Sequence, residues 1–213
     1  PWAKGGSNRR YWIAPPPRVG GFTGSDLLAA VSALEFAREA KAGPADLKRL
    51  ANRARTLAGS LVVGQQNDGG WVWRARGAGS HWGVTATSFW ALCAARNAGI
   101  PVHADTINKA QNFLRTQFTK FGANDNDAKA VLLHALSVNK AADFAHANRL
   151  HRERNTLSAP ALAYTALAFM NLDRKEFAGE LLDVLAQKLA EKKVGEKTLL
   201  NAPGVRNNTW TSE

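Results

Sequence analysis

The chain has 213 residues, 45% of them hydrophobic, with 28 Lys and Arg against 17 Asp and Glu and a net charge of +11. That length and apolar share allow one domain with a proper core, and no apolar run reaches the ~18 residues that would read as a membrane span. A single cysteine, Cys93, excludes a disulfide within the chain.

Residues 1–24 read as an irregular arm, with Gly5-Gly6, Pro15-Pro16-Pro17 and Gly20-Gly21 among the aromatics Trp2, Tyr11 and Trp12. Ser25 is a good N-cap for a first helix from Asp26 to about Lys41, which stops near Gly43-Pro44. Leu47, Leu50, Ala54, Leu57 and Leu61 recur at helical spacing, with Asp46, Lys48, Arg49, Arg53 and Arg55 opposite, and predict an amphipathic helix over 45–66. The third helix, 84–98, is apolar nearly all round, and Gly99-Ile100-Pro101 ends it. An amphipathic fourth (104–119), a mostly apolar fifth (126–138) and a short polar sixth (141–151) follow. Ser158 caps an apolar seventh (159–171), an amphipathic eighth covers 174–192, and 193–213 reads as loop. A helix apolar on every side must be covered on every side, whereas an amphipathic helix keeps a wet face. The alternation predicts an all-α fold in two concentric layers. The odd-numbered helices lie inside and the even-numbered outside, joined as four antiparallel hairpins.

Between the second and third helices lies Gln65-Gln66-Asn67-Asp68-Gly69-Gly70-Trp71. Asn and Asp tolerate unusual backbone angles and Gly supplies positive φ, so this is a tight corner. Gln65 can bond helix-end groups that lack partners, and Trp71 can lie over the corner and keep water out. Gln65, Asp68, Gly69, Gly70 and Trp71 are therefore expected to form a structural clamp. The chain also repeats itself: Leu61-Val62-x-x-Gln65 is echoed by Phe113-Leu114-x-x-Gln117, and Ala33-Leu34-x-x-Ala37-x-x-Ala40 by Ala91-Leu92-x-x-Ala95-x-x-Ala98.

The spacing Gln65-x3-Gly69-x-Trp71 resembles the QW repeat of the α/α-toroid superfamily, which includes squalene and hopene cyclases, protein prenyltransferase β-subunits and the thioester domains of complement and α2-macroglobulin proteins. A closed toroid of that superfamily has six hairpins, so four imply a partial ring. The order of features after the corner is similar to the bacterial α2-macroglobulin thioester domain. Thr85-Ala86 opens an inner helix and Ala98-Gly99-Ile100-Pro101-Val102 closes it. Asp127 to Ala135 follows, then Arg149-Leu150-x-x-Glu153-Arg154-Asn155-x-Leu157-Ser158, then Ala161-Leu162-Ala163 and Leu167-Ala168.

This resemblance implies a non-catalytic toroid domain over 25–192 of a larger protease-inhibitor or surface-defence protein, secreted or in the cell envelope (periplasmic). Its partners would be other domains of that chain, together with proteases or surface proteins. The family's thioester joins Cys and Gln in Gly-Cys-Gly-Glu-Gln. Cys93 sits in Leu92-Cys93-Ala94-Ala95, the setting of a small core residue, so no thioester of its own is expected. The chain opens at Pro1 and runs out in loop at Glu213. We expect a piece of a larger protein, in which the lack of a leader carries no information.

Three other readings are weighed. A fragment of a squalene/hopene cyclase-like terpene cyclase needs an Asp-x-Asp-Asp acid. The nearest stretch, Asn124-Asp125-Asn126-Asp127, lacks the final Asp pair and suits a helix start. Phe89, Trp90, Tyr164 and Phe169 read as core packing before cavity lining. A prenyltransferase-type zinc site is not expected, because His81, His103, His134, His146 and His151 show no ligand spacing with Cys93 or a carboxylate pair. No nucleophile elbow, phosphate loop or dinucleotide fingerprint is present, and no catalytic residue, cofactor or metal is expected. A stand-alone carbohydrate or peptide binder is the third. Candidate interaction surfaces are the loop aromatics Trp73, His81 and Trp82 and the basic cluster Arg149, Arg152 and Arg154. That cluster has no interleaved aromatics and so reads as a solvated face rather than a specific nucleic-acid site.

Overall fold

A computed structural model of the chain describes residues 22–72, 79–194 and 197–201. In order they form α1 (Phe22–Glu39), α2 (Pro44–Gly64), α3 (Trp82–Asn97), α4 (Ala104–Lys120), α5 (Asn126–Val138), α6 (Phe144–Arg152), α7 (Ala159–Asn171), α8 (Lys175–Lys188), β1 (Ala190–Val194) and β2 (Lys197–Asn201).

The layers follow the hydrophobic pattern. Each odd helix packs on the next, α1 on α3, α3 on α5 and α5 on α7, so these four make a continuous inner row. Among the even helices, α2 lies on α1 and α3, α4 on α3 and α5, α6 on α5 and α7, and α8 on α7. Phe89, Leu92 and Cys93 of α3, Leu132 and Leu133 of α5, and Leu162 and Phe169 of α7 are fully or almost fully buried. The amphipathic helices expose Lys48, Arg49, Arg53 and Arg55 on α2 and Asp105, Lys109 and Arg115 on α4. The domain is a partial α/α toroid, all-helical apart from one terminal ribbon.

Several ends differ from expectation. α1 begins at Phe22, so Ser25 lies inside the helix and caps nothing, and residues 22–24 belong to α1 rather than to the arm. The rest of that arm lies outside the described residues. Gly43, extended at φ −63° and ψ 154°, precedes α2, and Pro44 takes its first turn, where a missing N–H is harmless. α2 ends at Gly64, and Gln65 is already extended. α6 starts three residues later than expected because the Asp143 carboxylate accepts from the Ala145 N–H at 2.8 Å and fixes the first turn. α8 ends at Lys188, whose ammonium donates to the carbonyls of Asn155 and Leu157, both at 2.8 Å. Part of the stretch read as helix end and loop is an antiparallel ribbon pairing Ala190 with Asn201 and Val194 with Lys197.

Candidate functional site: the corner after α2

The corner begins where α2 runs out of hydrogen-bond partners. Gln66 N–H donates to the Gly70 carbonyl and Gly69 N–H to the Gln66 carbonyl, both at 2.9 Å, which folds the chain back on itself. Gly69 has φ +88°, the left-handed region that favours glycine. A Cβ there would stand 2.4 Å from the Lys109 carbonyl oxygen of α4. The Asp68 carboxylate accepts from the Gly70 N–H at 3.0 Å and the Ser80 hydroxyl at 2.6 Å, pinning both sides of the turn.

Two side chains carry the corner to its neighbours. The Gln65 amide donates to the Gly69 carbonyl within the turn and to the Thr106 carbonyl at the start of α4, both at 2.9 Å. Trp71 is 2% exposed. Its indole N–H donates to the Leu61 carbonyl near the end of α2 at 2.8 Å, and its backbone N–H to the Thr85 hydroxyl in the first turn of α3 at 3.0 Å. His81 N–H closes the loop onto the Trp71 carbonyl at 2.8 Å. Polar groups from three successive helices thus meet at one buried indole and one amide. Thr85, Thr106 and Ser80 were not legible as partners. Thr106 and Gln65 bond through a backbone carbonyl, which leaves no mark in residue type.

The candidate interaction residues do not form one surface. Trp73 lies outside the described residues. His81 is exposed and serves α3 as N-cap, its Nδ1 accepting from Gly83 N–H at 3.2 Å and Val84 N–H at 3.4 Å. Trp82 is half-buried, stacked on His81 at 5.5 Å and edge-on to Phe121 at 5.4 Å. The basic residues sit two inner helices away, at the end of α6. Arg149 pairs with Glu153 at 3.5 Å, Arg154 with Glu180 at 3.6 Å, and Arg152 is exposed.

The residues considered for chemistry are also placed. Cys93 is fully buried in α3, and burial pushes its thiol up to about 11 against a smaller downward pull from Arg96. The Asp125 carboxylate turns back to accept from Gly122 N–H at 2.8 Å instead of capping α5, and that of Asp127 accepts from the Ser158 hydroxyl. Among the described residues no three His, Cys, Asp or Glu side chains converge as a metal site. No helix there is long and apolar enough to cross a membrane. His134 stands apart: it is 4% exposed, and neither ring nitrogen has a hydrogen-bond partner.

A double row of helices stitched at such a corner defines an α/α-toroid type of domain. No protein-family model and no curated protein matches the chain. Among solved structures it is similar to native α2-macroglobulin from Escherichia coli, spanning domain MG7 to the C-terminus. The identity is 15% and the TM-score 0.63, over 82% of this chain and 29% of that one. It is also similar to Salmonella α2-macroglobulin reacted with methylamine, at 15% identity and TM-score 0.64, over 84% of this chain and 12% of that one. The native E. coli protein seen by electron microscopy gives 16% identity and TM-score 0.63, over 82% of this chain and 12% of that one. At such identities the likeness is one of fold: the chain has the fold of a helical portion of bacterial α2-macroglobulin, and it spans less than a third of the length of each protein it matches.

Proposed function

We propose that this chain is a helical domain of a larger α2-macroglobulin-like protein, acting through contacts with neighbouring domains and with proteases or surface proteins, and without a thioester of its own. The observation that carries the second half is the state of Cys93. A thioester cysteine must meet a glutamine side chain and face an incoming nucleophile. Cys93 is instead enclosed on all sides by the core of an inner helix, with its thiol held protonated. The corner of Gln65, Asp68, Gly69, Gly70 and Trp71 is a joint in this reading, held by the buried bonds of Trp71. The fold favours a secreted or periplasmic setting by analogy alone. The terpene-cyclase alternative is not favoured, since the Asp125 carboxylate accepts from the Gly122 N–H and that of Asp127 from the Ser158 hydroxyl, both in local structural bonds.

The test is mass spectrometry of the full-length protein after methylamine treatment, followed by proteolytic mapping. Peptides from residues 1–213 are expected to carry no methylamine adduct and to yield Cys93 as a thiol that alkylates only after denaturation. An adduct on any glutamine of this stretch, with release of the Cys93 thiol, overturns the reading.

A further inference from the structure

The four inner helices end alike. The N–H groups of Ala42, Ile100, Ala141 and Arg174 donate to the carbonyls of Ala37, Ala95, Leu136 and Phe169, each at 2.9 Å. The residue before each donor, Lys41, Gly99, Lys140 or Asp173, has positive φ. These matched ends fix the register of the row. Ala37 of α1 corresponds to Ala95 of α3, and Leu136 of α5 to Phe169 of α7.

In that register the two ends of the row carry the two halves of one joint. A Cβ on Gly24 of α1 would stand 3.3 Å from the Thr87 methyl of α3, and the Arg38 guanidinium donates to the Ala98 carbonyl at the end of α3 at 3.0 Å. The α1 residues that correspond to Thr87 and Ala98 are Ala29 and Ala40. Both are exposed, with Ala33 and Phe36 between them on the same face, Phe36 at 72%. At the other end, α5 meets α7 through His134, 5.6 Å from Tyr164, and through Ser137, whose hydroxyl accepts from the Asn171 amide at 3.0 Å. The corresponding α7 residues, Leu167 and Met170, are 44% and 46% exposed. So α1 leaves open the face that receives a preceding helix, and α7 the face that meets a following one. Among the described residues α3, α4 and α5 expose no large apolar side chain. The outer layer shows the same complementarity. α2 carries Lys48, Arg49, Arg53 and Arg55 against Asp46, and α4 and α6 are also basic. α8, with Glu176, Glu180 and Asp183 against Lys175 and Lys188, is the one outer helix with an acidic balance. Its Glu180 and Phe177 meet His151 of α6, and Leu182, half-exposed, lies on the opposite side.

We propose that copies of this chain associate end to end, the α7–α8 edge of one seated on the α1–α2 edge of the next. Leu167 and Met170 pack on Ala29, Ala33 and Phe36, as α5 packs on α7 within the row. α8 lies behind α7 as α2 lies behind α1, so joining the inner faces brings the acidic outer helix alongside the basic one. A second copy is the occupant because each copy carries both halves, matched in register and opposite in charge. Two different faces meet, so the contact is heterologous and builds rings or open chains. The association rests on the row alone and not on the absence of a thioester.

The experiment is sedimentation velocity of the 213-residue chain from about 1 to about 500 µM. The mean mass is expected to rise with concentration across that span. The association should weaken at least about threefold between ~0.05 and ~0.5 M NaCl, as the charges of α2 and α8 are screened. Two variants separate the halves of the joint. Leu167→Glu with Met170→Glu removes the α7 half, and Phe36→Glu removes the α1 half. All three replace exposed side chains, which leaves the fold intact. Each variant alone is expected to stay monomeric. An equimolar mixture is expected to form dimers and nothing larger, since each variant contributes its one intact half, and those dimers also report that both variants are folded. The proposal is overturned by a monomer throughout the span or by association indifferent to salt. It is equally overturned if either variant still associates alone, as a joint between two like edges would allow, or if the mixture stays monomeric.

Discussion

Gly69 and Gly59 flank the same corner and answer to opposite rules. Gly69 sits at φ +88° with the Lys109 carbonyl oxygen 2.4 Å from where a Cβ would be, so Gly69→Ala combines backbone strain with a clash against main chain. We expect a loss of about 3 kcal/mol or more. Gly59 is exposed on α2 with nothing within 4 Å of a Cβ, so Gly59→Ala is expected to stabilise by about 0.5–1 kcal/mol through helix propensity alone. Urea unfolding of the two variants checks both signs, and a Gly69→Ala variant as stable as the parent would remove the close approach to α4. Gln65→Leu keeps the volume and removes both amide bonds, the one to the Gly69 carbonyl in the turn and the one that ties the turn to the Thr106 carbonyl of α4. Its expected cost is about 1–3 kcal/mol.

At the scale of elements, the bounds of α5 and α7 were legible to the residue, while α6 and α8 were not. Ser158 caps α7 through the Ala161 N–H at 3.2 Å, and Pro160 marks its first turn, so sequence and geometry give the same signal. α6 lost its first three expected residues to the Asp143 cap. The ribbon was missed because Leu181, Leu185 and Leu189 extend a helical period to the edge of β1, and the strand signal of Thr198-Leu199-Leu200 is short. The corner was legible in Gln65, Gly69 and Trp71 but not in its backbone acceptors. A second row, across the inner helices, was legible only in part: Trp90 and Tyr164 read as core packing, but nothing in the sequence joined them through His134. Trp90 of α3 meets His134 of α5 edge-on at 4.7 Å, and His134 meets Tyr164 of α7 at 5.6 Å. Burial pulls the His134 imidazole down to about 4 from an ordinary 6.5, because its charged form has no partner. Between those values the unfolded chain holds the extra proton, so stability is full above pH 6.5 and falls as the pH drops towards 4. The loss amounts to up to about 3 kcal/mol. His134→Phe should flatten this part of the stability–pH curve, as read by urea midpoints across that range. An unchanged acid slope would mean His134 is already charged or solvated.

Over the whole molecule the core divides into two clusters that share α5. Leu132, Ala135 and Leu136 of α5 join the cluster built on α1 to α4, whereas Ala130 and Leu133 join the one built on α6 to α8. Phe118 and Ala142 pack against both clusters. A linear array of hairpins couples each unit to its neighbours only, so its stability need not be lost at once. Phe169 tests this. It is fully buried and stacks on Phe177 at 5.2 Å, with Phe144 and His151 edge-on at 6.1 and 5.8 Å. Phe169→Ala is expected to cost about 3–5 kcal/mol, because little around a ring so enclosed can collapse into its place. That loss should fall unevenly. Native-state hydrogen exchange is expected to show amides of α7 and α8 losing most of their protection while those of α1 to α3 keep theirs, with α5 between. Equal loss across all eight helices would mean that the shared helix welds the two clusters into one cooperative unit.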